Sequence, residues 1–261
     1  MKIQVLVAAM NQNDHSLVEK MNISTDAIIG NQCDYNSVEC FEHNGNRIQY
    51  LNFNERGVGL NRNNALMRAD GDILVFADDD MVYEQNYSDT IKRAFEINEK
   101  ADVIIFNLRE ANPSRYVIQK VCKVGYFNYL RYGTARIAVR LASIKKYGIY
   151  FNQCFGGGTE HCHGEDNLFL NACLKKRLNI IAVPDYIATL TEERISSWND
   201  GYDKKYLIDQ GVLYSALSRN FWRLLCLQDA LRRCKSYNVN ALRAYSIMCQ
   251  GAKKFTGRCS Q

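Results

Sequence analysis

The chain has 261 residues, 47% of them apolar and 11% aromatic, with a formal net charge of +5. This composition, with only two prolines, excludes a disordered or low-complexity chain and allows one α/β domain with an appended segment. There is no internal repeat at solenoid or propeller period, and no run of eighteen apolar residues to span a bilayer.

The first strand is expected at residues 2–9. It starts beside Met1 and leaves no room for a secretory signal, so the protein is expected in the cytoplasm with its ten cysteines reduced. Further strands are expected at 26–30, 47–53, 73–77 and 102–108, with helices at 16–21, 60–68 and 87–98 between them. Near-continuous apolar strands separated by helices predict a mostly parallel sheet covered on both faces. Ligands of such sheets sit in the crevice at the carboxyl ends of the strands. Residues 111–133 read as a long loop over that crevice. A strand at 134–139 and a short helix at 141–147 follow. Gly156, Gly157 and Gly158 lead into a helix at 165–177, and a strand at 179–183 ends at Pro184.

Beyond about residue 196 the apolar spacing turns helical, so the chain divides into 1–195 and a basic helical extension, 196–261. From residue 219 onward nine Lys and Arg oppose the single acid Asp229, a local charge of +8 on a body of −3. This asymmetry argues against nucleic-acid binding by the fold itself. It suits an anionic membrane surface or an acidic partner, and equally a solvated basic helix. Phe221, Trp222, Leu224 and Leu225 beside Arg219 and Arg223 give that end a partly amphipathic character.

Three motifs carry chemistry. Asp78, Asp79 and Asp80 follow the apolar run Ile73–Ala77. Two such charges a few ångströms apart repel by roughly 4 kcal/mol at an effective dielectric of about 20. A hard divalent cation, Mg²⁺ or Mn²⁺, removes that repulsion; water at a surface screens it. The segment from Gly57 to Leu66 opens a helix with glycines and places Arg62, whose planar fork suits a diphosphate, in its first turns. Asn61 there is also a candidate helix cap. Finally, Glu165 and Asp166 open a helix after the triple glycine. The helix dipole favours acids at that place, and a carboxylate there also suits a general base taking a proton from an attacking hydroxyl. Cys154, His161, Cys162 and His163 form a candidate zinc set, although adjacent side chains do not easily converge on one tetrahedron.

In the order of these three motifs, residues 1–195 resemble the inverting nucleotide-sugar glycosyltransferases of the GT-A fold, specifically the large family 2. The family's Ala-Arg-Asn motif falls on Asn61-Arg62-Asn63, its Asp-x-Asp motif on Asp78 and Asp80, and its Glu-Asp pair on Glu165 and Asp166. The resemblance implies a Rossmann-like GT-A sheet and a UDP- or GDP-sugar held by Ala8, Asn31, Arg62, Asp78 and Asp79. It implies Mn²⁺ or Mg²⁺ on Asp80, Asp166 as general base, and an acceptor contacted by Glu165, Gly157 and His163. That acceptor is expected to be a glycan or lipid-linked glycan in surface-polysaccharide assembly, with peripheral contact at the inner membrane face. Two departures stand out. Asn31-Gln32 occupies the place of an aspartate that touches the nucleobase in many members; an amide still reads a uracil or guanine edge. Thr189 stands where many relatives have a histidine near the metal. Two alternatives remain open at this level: a sugar nucleotidyltransferase, although Ala8-Ala9-Met10-Asn11-Gln12 is no phosphate loop, and a catalytically silent nucleotide-sugar binding module.

Overall fold

The computed structural model describes residues 1–111, 115–191 and 202–258, the side chains of 257 and 258 excepted. The sequence boundary near 196 lies outside the described residues. Among these, the first half of the chain forms β1 Ile3–Met10, α1 Leu17–Lys20, β2 Asp26–Gln32, β3 Ser37–His43, β4 Asn46–Phe53, α2 Val58–Arg68, β5 Ile73–Asp78, β6 Met81–Tyr83, α3 Tyr87–Ile97 and β7 Val103–Arg109. The second half forms β8 Cys122–Val124, β9 Ile137–Arg140, α4 Leu141–Tyr147, α5 Glu165–Lys175, β10 Ile180–Leu190, α6 Lys204–Leu217, α7 Trp222–Arg233 and α8 Ala241–Arg258.

The ten strands among the described residues join one sheet of order β3-β4-β2-β1-β5-β9-β7-β10-β6, with β8 also on β10. The pairs β4–β2, β2–β1, β1–β5 and β7–β10 are parallel, and β9 is inserted antiparallel between β5 and β7. Successive side chains of a strand point to opposite faces, so each apolar strand feeds two cores. Leu6, Ile28, Leu74 and Phe76 pack on one face with α2, α4 and α5. Val5, Ile29, Val75 and Phe106 pack on the other with α1 and α3.

The C-terminal helices share the first of these cores, contributing Leu207, Leu213, Cys226, Ala230, Ala244 and Met248. Helices α6 and α8 cross through reciprocal glycines. A Cβ on Gly211 would overlap the Met248 carbonyl, and one on Gly251 the Ile208 carbonyl.

Several elements differ from the sequence expectations. Strand β3 forms a hairpin with β4 through Asn44 and Gly45, both at positive φ (49° and 77°), which matches the hairpin preference of Asn-Gly. The expected loop 111–133 contains β8 and a 3-10 turn at Tyr129–Arg131, and residues Thr134–Arg136 form another such turn before β9 begins. Buried Arg136 explains that turn: its guanidinium donates to the Phe106 carbonyl, the Tyr116 carbonyl and Asn107 Oδ1. Strand β10 continues past Pro184 because its pairing with β7 is interrupted there by register shifts between Ala182, Tyr186 and Ala188. A bulge needs no N–H from the proline.

Candidate active site

Register along the parallel strands places Ala8 beside both Gly30 and Asp78, so the carboxyl ends of β1, β2 and β5 lie side by side, the end of a parallel sheet at which a ligand crevice is expected. Arg62 projects toward it from α2 and is only 4% exposed. Its Nη2 donates to Asp78 Oδ1 at 2.5 Å and its Nη1 to Glu165 Oε1 at 2.9 Å. Burial pulls the guanidinium pKa down, but the Asp78 and Glu165 charges outweigh it and hold the pKa above its ordinary value. The guanidinium also lies over the Phe151 ring, 5.4 Å from its centroid, and Phe151 stacks on Phe169 and meets Phe76 edge-on. One cation thus ties the end of β5 to the start of α5, 103 residues from its own place in the chain.

The glycine segments make this approach feasible. Val58 N–H donates to the Gly157 carbonyl at 2.9 Å, and Gly57 N–H donates to Gln32 Oε1 at 2.8 Å. A Cβ on Gly59 would meet the Asn152 carbonyl oxygen, and one on Gly156 the side chains of Val58 and Glu165. The glycines that precede and open α2 therefore serve backbone-to-backbone packing against residues 152–158. The N–H groups of Gly57 and Val58, at the start of α2, are spent on protein acceptors. Gly157 is itself buried. Asn61 is not the cap: Gly57 holds that position, and Asn61 is buried against Gly30, where a Cβ would overlap its amide. Asn63 clips the far side by pairing both ways with the Phe151 backbone.

Asp79 and Asp80 are positioned differently. Asp79 Oδ2 accepts from Met10 N–H and Gln12 Nε2, each at 3.3 Å. The Asp80 carbonyl accepts from Thr191 N–H at 2.8 Å and Thr191 Oγ1 at 3.0 Å. Burial raises the pKa of the Asp80 carboxyl, and the charges of Asp78 and Asp79 raise it further. Thr189 is exposed, so it is Thr191, two residues on, that touches the acidic turn. Asn31 is fully buried, and its amide is consumed by the Gln12 backbone (2.9 Å both ways) and by Asn52 Oδ1 (2.8 Å). It has no surface left for a base and instead fixes Gln12 at the crevice.

Among the described residues no three His, Cys, Asp or Glu side chains converge into a metal cage. The carboxylates of Asp78 and Asp79 close to Asp80 nevertheless fit Mg²⁺ or Mn²⁺, which commonly bind through one or two carboxylates plus phosphate oxygens and water. A separate cleft of about 270 Å³ lies at the ends of β7 and β10, between Arg109, Arg115, Arg136 and Tyr186. None of the acids described above lines it, and its volume falls below the usual range for ligand pockets.

Asp166 stands in the first turn of α5 beside Gly133, with its Oδ1 accepting from Asn167 N–H at 2.6 Å. Burial, followed by the neighbouring Glu165 charge, pushes its carboxyl pKa up to about 7. A carboxyl with that pKa is suited to accepting a proton near neutrality. The histidines face another way. His161 Nδ1 pairs with buried Asp209 at 3.1 Å, which also holds Lys205 Nζ at 2.7 Å. His163 Nε2 meets Gln210 Oε1 at 2.8 Å, and its ring stacks on Tyr206. Both histidines clamp α6 onto the loop preceding α5. Gln12, Thr191 and Asp209 escaped the sequence reading, because their significance depends on partners distant in the chain.

The model of the family described as "Glycosyl transferase family 2" matches residues 33–152. No curated protein matches by sequence. Among solved structures, S. aureus TarS 1–349 in complex with UDP-GlcNAc aligns with a TM-score of 0.62 at 16% identity, covering 97% of this chain and 82% of that one. TarS 1–349 in complex with UDP gives 0.58 at 18% identity, with coverages of 89% and 72%. The longer S. aureus TarS structure gives 0.61 at 15% identity, and there the match spans 43% of its chain. At these identities the likeness shows the fold, a GT-A-like sheet flanked by helices.

Proposed function

Because the chain carries a glycosyl transferase family 2 segment at residues 33–152 on a GT-A fold, we propose that it moves a sugar from a nucleoside-diphosphate donor to an acceptor hydroxyl with inversion. The observation that supports this reading is Arg62, which holds Asp78 and Glu165 at 2.5 and 2.9 Å and so brings the acidic triplet close to the Glu165–Asp166 pair.

Asp166 takes the proton of the attacking hydroxyl, a role supported by its pKa near 7. Glu165, fixed by Arg62, faces the acceptor. Asp78 and the Gln12 segment hold the nucleoside part of the donor on the other side, with Ala8 small enough to leave the strand ends open. Asp80, with Asp78 beside it, would hold Mn²⁺ or Mg²⁺, which when bound offsets the charge of the leaving diphosphate. Two of the TarS structures are complexes with UDP-GlcNAc or UDP, and we take a UDP-sugar as the donor to try first. A glycan or lipid-linked glycan in the cytoplasm is the acceptor class we propose. Among the described residues no helix is long and apolar enough to cross a membrane.

The test is nucleoside diphosphate release from UDP- and GDP-sugars with Mn²⁺. General-base catalysis contributes about 10²–10⁴-fold, so Asp166→Asn should lower turnover within that range and retain UDP binding. Unchanged turnover in Asp166→Asn would overturn the base assignment. Release of pyrophosphate from a sugar phosphate and a nucleoside triphosphate would instead identify a nucleotidyltransferase, and binding without release a silent module.

A further inference from the structure

Helix α7 leaves an apolar face uncovered. Leu224 and Leu231 are each 61% exposed, Leu227 is 40% exposed, and Phe221 just before the helix is 64% exposed. At 100° per residue, Leu224, Leu227 and Leu231 fall within a 60° arc. The opposite side of the same helix carries Trp222, Cys226, Asp229 and Ala230, all buried in the core. Trp222 and half-buried Leu225 therefore belong to the fold, whereas Phe221 and Leu224 of the sequence-predicted set stay outside and are joined there by Leu227 and Leu231.

The charge around this stripe has one sign. Arg223 and Arg232 flank it and are exposed, and Lys235 follows directly after the helix. No acid occurs after residue 209 except Asp229, and that carboxylate is 7% exposed, paired with Arg233 at 3.4 Å and with Tyr237 OH at 2.6 Å. A leucine stripe bordered by exposed basic residues that no ion pair among the described residues engages is complementary to one kind of surface, an apolar layer beneath negative headgroups.

We propose that the outward face of α7 docks on an anionic lipid bilayer, with Leu224, Leu227 and Leu231 entering the headgroup–acyl boundary and Arg223 and Arg232 meeting the headgroup phosphates. This deepens the transferase reading: it names a lipid-linked acceptor, held at that surface, as the substrate class. Removing a fully inserted leucine weakens partition by about tenfold or more, and each basic residue near an anionic surface contributes about fivefold.

The experiment is co-sedimentation of the whole chain with vesicles of phosphatidylcholine alone or mixed with phosphatidylglycerol. Binding to the mixed vesicles is expected to exceed that to phosphatidylcholine at least tenfold and to weaken with added salt. Leu224→Glu/Leu231→Glu should lose at least tenfold, and Arg223→Glu/Arg232→Glu similarly. Both pairs are exposed and should melt at the wild-type temperature, and UDP binding, read at the crevice, should be unchanged. Equal sedimentation of wild type and the leucine variant, or no preference for phosphatidylglycerol, overturns the docking. So does a wild-type dimer that the leucine variant turns into a monomer, which would assign the stripe to a second copy. Loss of vesicle binding with intact UDP binding and turnover on a soluble acceptor separates this proposal from the transferase reading.

Discussion

At the scale of single residues, Asp166 and Arg62 make opposite demands on solvent and pH. The Asp166 carboxyl, raised by burial and by Glu165 to about 7 from an ordinary 3.8, stays protonated in the folded chain where the unfolded chain has already released its proton. Its contribution to stability is therefore complete below about pH 4 and is lost as pH rises through about 7. With Asp166 as the base proposed above, turnover should follow the reverse course, rising through the same window. Asp166→Asn should remove both trends: denaturation midpoints at pH 5 and pH 8 should converge relative to wild type while turnover collapses. Arg62 belongs to the buried ion pairs whose rupture costs about 3–5 kcal/mol, because Glu165 is left in a shielded place without its cation; the Asp78 arm contributes less, since that side chain is 41% exposed. Urea unfolding of Arg62→Met should show a loss in that range. The acids at 78–80 and 165–166 were legible in the sequence because they sit together at the ends of clear elements. Asn31 was not, since only the fold brings Gln12 and Asn52 against its amide.

Among elements, the long apolar strands and the helices of the first half announced themselves by pattern, as did α4 and the start of α5. The misses share a physical reason. Strand β3 alternates half-buried and exposed positions on a polar edge, and its one strong sign was the Asn-Gly turn that follows. Strands β6 and β8 are three residues long, too short for any periodicity, and β10 crosses a proline by means of its bulge. The crossing of α6 and α8 through Gly211 and Gly251 was equally silent, because a glycine inside a helix does not reveal what passes over it. Overpacking of this kind costs typically 1–3 kcal/mol. At about 2–4 °C per kcal/mol for a chain of this size, Gly211→Ala should lower the melting temperature by about 2–12 °C. Met248 presents backbone there, which cannot rotate away. An unchanged melting temperature would contradict the tight crossing.

The whole molecule behaves as one sheet whose first core extends without a break into the C-terminal helices, so ligand binding at the crevice should register in the stability of the entire chain. UDP at about a hundred times its dissociation constant should add about 2.7 kcal/mol, read as a higher melting temperature. If Asp80 holds the cation, the part of that rise requiring Mn²⁺ should vanish in Asp80→Asn, while the metal-independent part persists. The seam between Gly57–Gly59 and residues 152–158 has a mechanical consequence. Opening the two flanks like a hinge would have to part the Val58–Gly157 hydrogen bond and the Arg62–Glu165 ion pair in the same stroke. The proposed site is therefore pre-set by the fold itself, and no closing movement of these two flanks is needed to bring Arg62 and Glu165 together.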